Sequence, residues 1–121
     1  MALKFVLDEH LRGWPYQAIV RHNVRVGQEI DVVQVGEPPD LRLGTKDPEL
    51  IRWAAREGRI IVARDKATLP SHLRVHVESG AHSPGIFLVR DVPWEPVVEF
   101  LACASQASEP AEWMDAVTFI P

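Results

Sequence analysis

The chain has 121 residues, 46% of them apolar and 25% charged, and a net charge of −4. That is enough for one domain with a real core, too little for two, and too balanced for a disordered chain. A net negative charge argues against a protein that coats nucleic acid, and no apolar run approaches the roughly 18 residues of a membrane helix.

Lys and Arg slightly outnumber the acids up to residue 76, whereas Arg90 is the sole cation of the acidic remainder. A mildly basic front and an acidic back suit either a local anion-binding surface or an ordinary solvated one. Met1 leads directly into an apolar segment with no basic region or cleavage site, so no signal peptide is expected and a cytoplasmic location is. The single cysteine, Cys103, excludes an internal disulfide. With Val97, Leu101 and Ala104 nearby, it is expected to be a buried thiol.

Leu3–Leu7 is apolar apart from Lys4 and stops at Asp8-Glu9-His10, the pattern of a buried strand followed by a polar loop. Pro15 fits the first turn of a helix to about His22, with Tyr16, Ile19 and Val20 inward. Asp31–Val35 is a second β-branched run, closed by Gly36 and Pro38-Pro39. Asp47-Pro48-Glu49 then opens a helix, with Asp47 as N-cap; Leu50, Ile51, Trp53, Ala54 and Ala55 form its apolar stripe and Gly58 ends it. Arg59–Ala63 is the third strand and runs into Arg64-Asp65-Lys66. A helix from about Pro70 to Glu78, a Gly80–Pro84 turn, a strand at Gly85–Val89 and a helix from Pro93 to about Ala104 follow. After the polar stretch Ser105–Pro110, Ala116–Ile120 is a last β-rich run suited to a sheet edge.

Strands alternating with helices imply a mainly parallel sheet covered on both faces. Right-handed crossovers bring the strand-to-helix loops to one carboxyl edge, where ligands of such folds bind. Asp8 and Glu9 leave the first strand there, Asp65 leaves the third, and Asp47 begins a helix on the same rim. Carboxylates gathered in this way repel one another without a cation. An all-oxygen donor set suits Mg²⁺ or Mn²⁺, metals that activate water for phosphodiester hydrolysis. Each acid also has a plainer role: Asp47 as a cap, Asp65 in a turn, Glu9 as a solvated charge. Asp91 also follows a strand but precedes Val92-Pro93, and only enters a helix.

Taken together, KFVLDEHL, GTKDPELIRWAAREGRIIVARDKATLP and GAHSPGIFLV resemble the small bacterial PIN-like proteins, relatives of the VapC-type PIN-domain toxin ribonucleases. The resemblance spans residues 3–101. It implies a PIN-like three-layer α/β domain and a metal-dependent ribonuclease, often paired with a small antitoxin that masks the site. By position, Asp8 is the family's first acid, Asp47 its helix-start acid and Asp65 its strand-end acid, all three catalytic and metal-binding. The further acid that PIN domains often carry is replaced by Ala67 and Thr68, with Glu9 as the substitute metal ligand.

Arg64 and Lys66 flank Asp65 and are read as substrate contacts to the RNA phosphate or as neutralising charges. His72 and His76 share a helix face but lack further zinc ligands at a telling spacing, so they are read as surface residues. His82-Ser83 is read as an ordering turn. Trp53 belongs to the core, while Trp14, Trp94 and Trp113 near element ends suit a protein interface, either an antitoxin's or that of a homo-oligomer. Two rival readings remain: a PIN-like protein-binding module with little or no catalysis, and a phosphoacceptor receiver domain. The latter needs a late strand-end lysine, and none follows Lys66.

Overall fold

A computed structural model describes residues 3–27, 30–64 and 68–121. Their elements are β1 (Lys4–Leu7), α1 (Trp14–Val26), β2 (Asp31–Gln34), α2 (Asp47–Glu57), β3 (Ile60–Arg64), α3 (Thr68–Glu78), β4 (Ile86–Val89), α4 (Trp94–Ala107) and β5 (Val117–Ile120). The strands form one sheet in the order β2-β1-β3-β4-β5. Every neighbouring pair is parallel, and β5 takes the edge as expected.

Side chains alternate across a strand, so each strand feeds two cores. Phe5, Leu7, Val62, Phe87 and Val89 point to the face covered by α1 and α4. Val6, Ile61, Ala63, Ile86 and Leu88 point to the face covered by α2 and α3. Burial on both faces explains why β3 and β4 read as unbroken apolar runs. At about 1.5–3 kcal/mol per fully buried large side chain, these two layers supply most of the favourable folding free energy. Among the described residues no helix is long and apolar enough to cross a membrane.

The crossovers are not all of one hand. The chain steps towards β5 through α2, α3 and α4, yet α4 packs on the opposite face from the other two. The β4–α4–β5 connection is therefore of the opposite hand to those through α1, α2 and α3, whereas such connections are usually all right-handed. Coverage gives the reason: without α4, only α1 would shield Phe87 and Val89 on that face. The return to β5 runs through residues 108–116, with a 3-10 turn at Pro110–Glu112. Gly85 makes this passage feasible, because a Cβ there would lie 2.2 Å from the carbonyl oxygen of Trp113.

Several local expectations change. Helix α1 continues past His22 to Val26. The Asn23 side chain then holds Ile30 through two hydrogen bonds, donating to its carbonyl at 3.1 Å and accepting its N–H at 2.7 Å. In α2 the N-cap is Lys46; Asp47 and Pro48 are the first helical positions, which leaves the carboxylate in the first turn, where the helix dipole favours it. Gly58 closes α2 in the left-handed conformation at φ 70°. Helix α4 runs to Ala107, through part of the expected polar stretch.

Cys103 is exposed, contrary to expectation. Val97, Leu101 and Ala104 take the inward stripe of α4, and a residue two positions after Leu101 faces away from it. Trp53 is buried, and so is Trp94, whose indole N–H donates to the Pro15 carbonyl at 3.0 Å. Half-buried Trp113 stacks edge-on against Phe87, leaving Trp14 as the exposed tryptophan.

Candidate functional site

The sheet order reverses direction between β1 and β3, and the crevice at their carboxyl ends is where parallel α/β sheets hold ligands. Asp8 sits there. Its N–H donates to the Val62 carbonyl at 2.9 Å, extending the β1–β3 ladder by one residue. Its own carbonyl accepts the Leu11 N–H at 2.9 Å, which turns the chain into a short 3-10 segment, Glu9–Leu11. Strand and turn together fix the Asp8 backbone. The residue is only 6% exposed, deep burial for an acid.

The opposite wall comes from the segment between β2 and α2. Val35 donates to the Leu7 carbonyl, Gly36 to that of Leu41, and the Leu41 side chain is buried, so this segment folds back over the end of β1. Glu9 fastens it: its Oε1 accepts the Gly44 N–H at 2.7 Å across 35 positions. The segment then enters α2, whose first turn presents Asp47. Asp47 Oδ2 accepts a hydrogen bond from the Thr68 hydroxyl at 3.3 Å, joining the start of α2 to the start of α3.

Asp8, Glu9 and Asp47 thus line one open cleft of about 500 Å³. Its other polar walls are Lys46, His10, His72 and the hydroxyls of Thr45 and Thr68. Arg64 ends β3 at the same edge and is exposed, but is not among these walls. Asp65 and Lys66 lie outside the described residues.

Of the residues singled out from sequence, the cleft brings together Asp8, Glu9 and Asp47. Lys46 is an addition, and His72, expected as a surface residue, also lines the cleft. Lys46 was hidden because its place depends on the fold of the preceding segment. Thr68 and His72 stand one helical turn apart on α3, a spacing that carried the signal, and His72 is a cleft residue as well as a helix-face one. His76 turns elsewhere, its Nε2 lying 3.0 Å from the His82 carbonyl.

The donor chemistry fits a hard cation. Among the described residues no three Asp, Glu, His or Cys side chains converge as a ready-made cage. Mg²⁺ does not need one, since it commonly binds through one or two carboxylates and completes its octahedron with water and phosphate oxygens. Asp8 and Asp47 meet that requirement in kind. Glu9 is partly committed, one of its oxygens serving as the brace on Gly44. Positive groups face these acids from Lys46 and from the first turn of α2, whose N–H groups favour an anion. Carboxylates beside anion-favouring groups in one cleft suit a metal–phosphate pair. No known protein family, no curated protein and no solved structure matches the chain.

Proposed function

We propose that this protein is a divalent-metal-dependent ribonuclease of the PIN-like kind, acting as the toxin half of a toxin–antitoxin pair. One observation carries the reading: Asp8, Glu9 and Asp47, from segments far apart in sequence, line one open cleft at the β1/β3 switch point. Asp8 and Asp47, joined by Asp65, would hold Mg²⁺ or Mn²⁺. Bound there, the metal would lower the pKa of a water and offset charge on the scissile phosphate. Lys46 and the first turn of α2 orient the phosphate. Arg64 and Lys66 supply further charge along the RNA backbone, and Glu9 keeps the cleft open by holding Gly44. An open cleft suits an extended single strand better than a small enclosed substrate.

A second reading, a PIN-like module that works by binding a protein partner, draws on Glu9. A carboxylate engaged by a backbone N–H is a weaker candidate ligand than a free one.

Cleavage decides between them. Single-stranded RNA is incubated with the purified chain in Mn²⁺, Mg²⁺ or EDTA, beside Asp8→Asn prepared identically. Metal-dependent cutting that Asp8→Asn loses supports the nuclease. Equal cutting by parent and variant, or none in either metal, overturns it.

A further inference from the structure

Beyond the cleft, the carboxyl edge of the sheet continues along three strands: β3 ends at Arg64, β4 runs out into Arg90, and β5 carries Phe119. The register sets Arg64 level with Val89, and Val89 level with Ile120. Arg64, Arg90 and Phe119 therefore lie within one residue of the same height. Val89 and Ile120 belong to the core under α1 and α4. Their chain neighbours Arg90 and Phe119 leave the sheet on its other face, the one on which the starts of α2 and α3 wall the cleft.

Arg90 and Phe119 are in contact. The guanidinium carbon lies 4.1 Å from the centroid of the ring, a cation–π stack. The Arg90 carbonyl accepts the Val92 N–H at 2.8 Å, a tight turn that fixes the arginine backbone at the edge. Among the described residues the guanidinium makes no ion pair and no side-chain hydrogen bond, although Asp91 is its neighbour in the chain. Phe119 is 45% exposed, on the edge strand of the sheet. A ring at an open edge buries little and invites association, so packing does not account for it.

A flat cation laid on an aromatic ring offers two things that a single-stranded nucleic acid uses, a surface for stacking a base and donors for a phosphate. Arg90 is also the sole Lys or Arg after residue 76, so it is the one such point of attraction for an anion on that part of the chain. Neighbouring strands are about 4.8 Å apart, which puts β5 about 10 Å from β3, with Arg64 at the β3 end of the interval. We propose that Arg90 and Phe119 form a stacking subsite for a base of the single-stranded RNA whose phosphate lies in the cleft. The subsite rests on the nuclease reading for the place of that phosphate. A protein strand added to β5 would bond its backbone and leave the guanidinium plane unused.

Binding without cleavage tests it. A short fluorescein-labelled single-stranded RNA is titrated with the full chain in EDTA, and 2-aminopurine placed at successive positions reports stacking by its quenching. The parent should bind, and one position should be quenched. Phe119→Leu keeps an apolar side chain without the ring, and Arg90→Lys keeps the charge without the plane. Each should weaken binding by about tenfold and abolish the quenching, with the fold unchanged by circular dichroism. Trp14→Leu, which removes the exposed ring of α1 on the other face, should bind as the parent does. A parent that does not bind RNA, variants that bind and quench as the parent does, or an equal loss in Trp14→Leu would each overturn the subsite. Variants that bind normally while Asp8→Asn loses metal-dependent cutting would sink the subsite and leave the nuclease standing. Ring-dependent binding without cutting in either metal would sink the nuclease and leave the subsite standing.

Discussion

The imidazole Nδ1 of His82 lies 2.8 Å from Oδ2 of Asp115, a pair 33 positions apart that pins the approach to β5 against the approach to β4. The other carboxylate oxygen accepts the Ser83 N–H at 2.7 Å. Asp115 makes both bonds from a left-handed backbone at φ 60°, a conformation that Asp and Asn tolerate better than most residues. The His82 hydrogen bond and then that of Ser83 hold the Asp115 carboxyl below its ordinary value of 3.8. A depressed carboxyl pKa contributes stability that is present above the ordinary value and is lost as pH falls through the folded-state value. Asp115→Asn keeps the backbone preference and removes the charge. The parent should therefore melt higher than this variant near neutrality, and the gap should narrow as pH falls below 3.8 and vanish below the folded-state value. The gap will be modest, because the His82 side chain is 75% exposed. Melting curves that stay equally spaced from neutral to strongly acid pH would refute the assignment.

A metal bound at Asp8 should be visible in melting as well as in cleavage. Without metal, Asp8 shares the cleft with Glu9 and Asp47, and removing one of these like charges lowers their mutual repulsion. Asp8→Asn should therefore stabilise the metal-free protein by about 1 kcal/mol. Mn²⁺ at a hundredfold excess over Kd should stabilise the parent by about 2.7 kcal/mol and leave the variant unmoved. The two melting temperatures should exchange order between EDTA and Mn²⁺, and the same exchange is expected for Asp65→Asn. An unchanged order in both buffers would show that these acids are not ligands.

Glu9 separates bracing from coordination. Glu9→Gln keeps an oxygen acceptor for the Gly44 N–H, whereas Glu9→Ala removes it, at a cost of about 0.5–1.5 kcal/mol. If bracing is its role, the glutamine variant retains both stability and the Mn²⁺-induced melting shift. Loss of that shift in the glutamine variant, with its stability kept, would instead make Glu9 a ligand.

Gly85 is the position least open to substitution. Its φ of 115° disfavours any other residue, and the Trp113 carbonyl occupies the place of a Cβ. Gly85→Ala should destabilise by at least about 2 kcal/mol, measured by urea denaturation. A smaller loss would mean that the 108–116 return shifts easily.

The strands and α2 were legible because their signals are local. Ile60–Val62 and Ile86–Val89 are apolar without interruption, and Asp47, Pro48 and Gly58 mark the ends of one helix. The order of strands was not legible, since strands buried on both faces carry no mark of their neighbours. Nor was the face chosen by α4: its apolar stripe specifies that it is covered, not by which layer. Cys103 was misjudged because its proximity to Val97 and Leu101 in sequence was read as proximity in angle. The end of α1 was missed because Val24 and Val26 are exposed and supply no periodic signal. At the cleft, acids that follow strands could be placed from topology, whereas Lys46 and His72 enter through the folding of neighbouring segments.

The interior position of β1 in the sheet also bears on how the protein is made. Phe5, Val6 and Leu7 leave the ribosome before both of their sheet neighbours, β2 on one side and β3, ending at Arg64, on the other. Both faces of β1 wait as well for helices that follow. Until β2 and then β3 have been synthesised, this short apolar segment lacks its native neighbours in the sheet, and exposed segments of this sort associate with one another. Lys4 on one side and Asp8-Glu9 on the other act as charged gatekeepers during that interval. Neutralising the acids would thus lower the yield of soluble nascent chain, a cost that no melting experiment on the finished protein would register.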